Sequence, residues 1–108
     1  MKRKEILDKA TEMVCGHREQ DYGSPENNFG IIAKLWTAYF GHKFSAVDVA
    51  MAMVLLKAAR IKSGTATEDS FIDLCGYGAC GGELADIERR TVLVFDDTED
   101  MERISTDE

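Results

Sequence analysis

The sequence predicts an all-α protein, a compact four-helix domain with one short C-terminal strand or extended segment and an acidic tail. Three observations carry that prediction. Apolar residues recur at helical spacing in four segments, Ser-Pro and Ser-x-x-Asp stand where two helices would begin, and glycines stand where the first two would stop. With 108 residues and 44% hydrophobic content, the chain suffices for one domain and not two. Residues 1–95 are expected to form that domain, and residues 96–108 a disordered tail.

The first helix is expected from Lys4 to Cys15, where Ile6, Leu7, Ala10, Met13 and Val14 share a face and Gly16 ends the run. Residues 17–23 are polar and lack clear periodicity. Ser24-Pro25-Glu26 then opens a second helix, because Ser caps free amides, Pro fits the first helical position and Glu complements the dipole. This helix runs to about Phe40, with Phe29, Ile32, Ala33, Trp36, Tyr39 and Phe40 on one stripe and Gly41 as the cap. Trp36 reads first as a core anchor and second as a stacking platform for a ligand.

Ser45 and Asp48 form a capping box for a third helix over Val47 to Ile61. Apart from Asp48, Lys57 and Arg60 this helix is almost wholly apolar, so it should be covered on most sides, by its own neighbours or by a second subunit. The fourth helix begins after the loop Ser63 to Thr67, with Thr65 or Thr67 as cap and an acidic first turn, and extends to about Arg90. Its Gly76, Gly78, Gly81 and Gly82 cost roughly 1 kcal/mol each relative to Ala, which close approach of a neighbouring helix or a flat ligand would offset. The β-branched run Thr91 to Phe95 reads as the short strand.

Charge narrows the function classes. The net charge of −7 is concentrated in the last thirteen residues, which carry seven acids and one base, leaving residues 1–95 near neutrality. Such a surface offers no footprint for duplex nucleic acid. No apolar run approaches the ~18 residues of a membrane span, so a cytoplasmic protein is expected. Cys15, Cys75 and Cys80 form no metal-binding pattern; Cys75 and Cys80 read as buried thiols. A domain this small buries a modest fraction of its surface, which makes a homo-oligomer the natural expectation.

Lys57 and Arg60 lie three residues apart near a helix C-terminus, and Asp69 and Asp73 lie four apart on the next helix. The cations either grip a phosphate or pair with the two aspartates. Spacing does not choose between these.

The residues Arg18-x-x-Asp21-Tyr22-Gly23-Ser24-Pro25-x-Asn27-Asn28-Phe29, Ile32-Ala33-x-Leu35-Trp36-x-Ala38-Tyr39, Asp48-Val49-Ala50-x-x-Met53-x-x-Leu56-Lys57-x-Ala59-Arg60 and Asp69-Ser70-x-x-Asp73-x-x-Gly76-Tyr77 resemble a family of small phage and prophage proteins of unassigned function. They are also similar to the nucleotide modification associated domains of phages, over residues 4–88. That resemblance implies a protein of the infected or lysogenic host's cytoplasm that binds a nucleotide without turnover, for instance a sponge for an antiphage immune signal, with no cofactor. Arg18, Tyr22, Trp36, Lys57, Arg60, Asp69, Asp73 and Tyr77 are the ligand-binding candidates. A remoter resemblance to MazG-like pyrophosphatases implies a second reading, a hydrolase with magnesium among Asp48, Asp69, Asp73 and Glu83, although the spacing of these acids differs from the family's. A third reading is a module that inhibits a host enzyme through protein contact.

Overall fold

A computed structural model describes residues 1–16, 24–64 and 67–96. Among them are four helices: α1 (Arg3–Cys15), α2 (Pro25–Phe40), α3 (Ala46–Lys62) and α4 (Glu68–Asp96).

The caps follow the local chemistry. The Ser24 side chain accepts from the Asn27 amide at 3.3 Å with Pro25 in the first turn, so α2 starts where Ser-Pro places it. Ser45 and Asp48 satisfy each other's amides, Asp48 N donating to Ser45 Oγ at 3.1 Å and Ser45 N donating to Asp48 Oδ2 at 2.9 Å. At the end of α2 the chain turns through Gly41, whose φ of 68° lies in the left-handed region that glycine enters without steric cost. Phe44 N donates to Thr37 Oγ1 at 2.9 Å and holds the short loop into α3 against the last turns of α2.

The strand expected over Thr91–Phe95 is not formed; residues 91–96 continue α4. Adding one residue to an existing helix gains a backbone hydrogen bond without a new nucleus, whereas a lone strand has nothing to pair with, so β propensity yields. Thr91 joins the helix through its own hydroxyl, which donates to the Ile87 carbonyl at 2.9 Å. Residues 97–108, and the tail expected there, lie outside the described residues.

Neighbour contacts give the helix directions. Lys57 meets Asp73 and Ala50 lies beside Gly81, so α3 runs antiparallel to α4. Val14 lies against Gly76 while the Met1 ammonium donates to Glu68 Oε1 at 2.7 Å, so α1 runs parallel to α4 on another side. That carboxylate, by hydrogen bond first and charge second, raises the pKa of the Met1 ammonium above its ordinary value. Helix α2 rests mainly on α3 and touches α4 only slightly.

The core is built from small side chains. Ala10, Ala33, Val49, Ala50, Ile72, Cys80 and Leu84 are its buried hydrophobic members among the described residues. Two glycines make the close approach possible: a Cβ on Gly76 would stand 3.1 Å from Val14 Cγ1, and one on Gly81 would stand 3.4 Å from the Ala50 Cβ. Gly78 and Gly82 face no described neighbour within 4 Å. The glycine-rich run is therefore divided, one pair receiving α1 and α3 and the other pointing outward.

Three expectations need correction. Tyr39 and Phe40 leave the core stripe of α2 and stand 83% and 62% exposed. Cys75 is only half-buried, unlike Cys80. Within one chain, helix α3 is not covered on most sides by its own neighbours, since Met51, Leu55 and Leu56 are exposed.

Candidate functional site

Where α3 and α4 approach, Lys57 Nζ lies 3.0 Å from Asp73 Oδ2. Their side chains are only 15% and 22% exposed, so this ion pair is part-buried in the helix seam and screened by water far less than a surface pair. In the protein alone the partner of Lys57 is Asp73. One turn further along α4, on the same face as Asp73, Tyr77 meets Phe29 of α2 with ring centroids 6.1 Å apart and planes tilted by 40°. A lysine, a carboxylate and two rings, contributed by α2, α3 and α4, thus stand together.

The other sequence candidates distribute around this group. Arg60 follows Lys57 by one turn and is exposed, as is Asp69 one turn before Asp73. Trp36 lies seven residues beyond Phe29, about 10 Å along α2, and its ring packs edge-on against Phe44 at 5.6 Å. Its role there is to anchor the loop between α2 and α3. Arg18 and Tyr22 lie outside the described residues.

The four carboxylates of the magnesium reading do not converge. Asp48 is occupied as a helix cap, Asp73 holds Lys57, and Glu83 follows Asp73 by ten residues, about 15 Å along α4. Among the described residues, no three His, Cys, Asp or Glu side chains are grouped so as to hold a metal ion. Phe29 is the site member that pattern reading assigned only to the core. Its signal was present, since it shares the stripe of Ile32 and Trp36, but which ring it meets on α4 follows only from helix packing.

The family comparison bears on residues 5–85, which match the model of a domain of unknown function, DUF6378. The chain belongs to this family. The match takes in all of α2 and α3, most of α1 and α4 to the turn beyond Gly82, and so contains the whole site. Two curated relatives are phage proteins: the Gene 55 protein of Mycobacterium phage D29, 41% identical over 75 residues, and the Gene 55 protein of Mycobacterium phage L5, 44% identical over 73 residues. These alignments cover 69% and 67% of this chain but 50% and 47% of the relatives, so the chain spans about half the length of the proteins it matches. No solved structure gives a significant match. Among the described residues, no helix is long and apolar enough to cross a membrane.

Proposed function

We propose that this DUF6378 domain binds a small phosphorylated nucleotide without converting it, sequestering it in the cytoplasm of the host, with a host antiphage immune signal as one candidate ligand. The observation that carries this reading is the placement of Lys57. Its ammonium sits part-buried at the seam, one turn from Arg60, across from α4 with Tyr77 and Phe29 close along the same face. An ammonium has three donors, so a phosphate oxygen can join the Asp73 carboxylate on the same nitrogen, while Asp73 keeps the lysine from swinging into solvent. Arg60 adds a planar fork for a second phosphate oxygen. The half-buried Tyr77 and Phe29 pair supplies ring surface for a base. Binding of this kind needs charge-assisted hydrogen bonds and stacking, but no nucleophile or general base.

The test is incubation of the 108-residue chain with magnesium and a panel of linear, cyclic and ADP-ribose-derived nucleotides, followed by chromatography of free material before and after heat denaturation. A nucleotide that leaves the free pool and returns intact on denaturation is the expected result. Lys57→Gln should weaken that binding by about tenfold or more, since one charge-assisted hydrogen bond is lost. Appearance of a pyrophosphate-cleaved product instead establishes the magnesium-dependent hydrolase, and a panel left wholly free and unchanged overturns both.

A further inference from the structure

The best-placed cation of the candidate site already has an anion beside it. Lys57 Nζ lies 3.0 Å from Asp73 Oδ2, with side chains only 15% and 22% exposed, so a phosphate that reaches this ammonium does so next to a carboxylate. Asp69 stands one turn before Asp73, about 6 Å along α4, and Arg60 one turn after Lys57 on α3. These two cations and two carboxylates sum to zero. Lys62, five residues past Lys57, projects about 140° around α3 from it and does not add to this line of charge.

We infer that the site selects a phosphodiester, with one negative charge per phosphorus, over a phosphate monoester, with nearly two, and that Asp73 makes the selection. This rests on the nucleotide-binding reading and adds the class of nucleotide: a cyclic nucleotide or an esterified phosphate, and not one with a free terminal phosphate. Geometry sets the penalty. A phosphate oxygen that takes a second hydrogen of the Lys57 ammonium at ordinary hydrogen-bond length comes to about 5 Å from Asp73 Oδ2. At that separation the carboxylate cancels roughly 60% of the attraction of Lys57, since Coulomb energy falls with distance. What remains grows only in proportion to the charge on the phosphate, whereas the cost of taking an ion out of water into a part-buried seam grows with the square of that charge. Weakening the linear part while leaving the quadratic part in place favours the singly charged group.

Calorimetric titration of the 108-residue chain without divalent metal tests this. The probes are the 3′,5′-cyclic monophosphate, the 5′-monophosphate and the methyl ester of that 5′-monophosphate for each common ribonucleoside, at about pH 8 where the monoester holds nearly two charges. The methyl ester separates charge from ring closure, because it is an open diester. Both diesters of at least one nucleoside should bind about tenfold more tightly than the monoester. Monoester binding as tight as that of the diesters overturns the inference and leaves nucleotide binding standing; a preference for the cyclic member alone overturns it as well, since shape and not charge is then read. Failure of every probe to bind overturns the nucleotide-binding reading and this inference with it. Asp73→Asn tells selection from support: the ratio of diester to monoester affinity should fall to about threefold or less. A carboxylate that only holds Lys57 in place would weaken all three probes alike, and an unchanged ratio removes Asp73 from the selection. The comparison on the unmodified chain needs no variant, and Asp69→Asn, at an exposed position, reads the same charge at longer range should Asp73→Asn fail to fold. Its ratio should fall by about twofold, and no change overturns the charge argument.

Discussion

Leu84 and Leu35 are the same residue in two different regions of one small bundle. Leu84, on α4 one turn beyond the glycine that receives α3, is 3% exposed; Leu35, on the outer side of α2, is 63% exposed. The inner region achieves its density by removing side chains, with Gly76 admitting Val14 and Gly81 admitting Ala50, and it buries an ion pair between the helices it joins. The outer region keeps its large side chains and leaves them in water. Hydrophobic periodicity alone does not tell these apart. What separates them is whether a second helix happens to lie over the stripe.

The largest expected effect contrasts these two leucines directly. Leu84→Ala should destabilise the fold by about 3 kcal/mol, through lost transfer energy and the cavity left in the core. Leu35→Ala should cost less than about 0.5 kcal/mol in a dilute sample of single chains. Urea denaturation at several protein concentrations measures both. A cost for Leu35→Ala that grows with concentration would show the outer face to be buried in the assembled protein, which sharpens the contrast into one between an intramolecular and an intermolecular core.

The ion pair of the inner region comes next. Lys57→Met or Asp73→Asn should each cost about 1–2 kcal/mol, because either leaves its part-buried partner without compensation, and replacing both together should recover part of that loss. A double-mutant cycle reads the coupling. Zero coupling would make Lys57 and Asp73 equivalent to the exposed Lys4 and Asp8 pair, 2.9 Å apart on α1, and would erase the distinction between seam and surface.

The smallest effect lies within the glycine run. Gly78→Ala and Gly82→Ala should each stabilise α4 by about 0.5–1 kcal/mol, since helix propensity improves and no described atom opposes the new methyl. Gly76→Ala should return less than this or lose stability, because its methyl meets Val14 Cγ1 at 3.1 Å. Equal gains at all three positions in thermal melts would mean that α1 yields freely and that the inner region is no tighter than the outer.

Much of the secondary structure was legible because its determinants are local. Ser24-Pro25, the Ser45 and Asp48 box and Gly41 act within one turn of the backbone, so their effects follow from neighbours in sequence. Thr91 to Phe95 misled for the complementary reason: a strand preference is a preference for cross-strand partners, and a residue that follows a formed helix without such partners extends it. The site was half legible. Lys57, Asp73 and Tyr77 are recognisable as chemistry-bearing residues on their own helices, while the pairing of Lys57 with Asp73 and the contact of Tyr77 with Phe29 depend on how those helices lie against one another.

By itself, then, the sequence determined where α1, α2 and α3 begin and end, the polarity of each helix face, and the small residues on which close packing relies. Those properties arise from dihedral preferences, caps and spacing along a single strand of chain. Only the tertiary structure decided that Gly76 receives α1 and Gly81 receives α3, that the lysine of the cationic pair is held by Asp73, and that the stripe of Ile31, Leu35 and Tyr39 faces outward. The physical reason is that hydrophobic burial is non-directional: it requires each apolar stripe to find a cover, and helix packing geometry selects which surface supplies it.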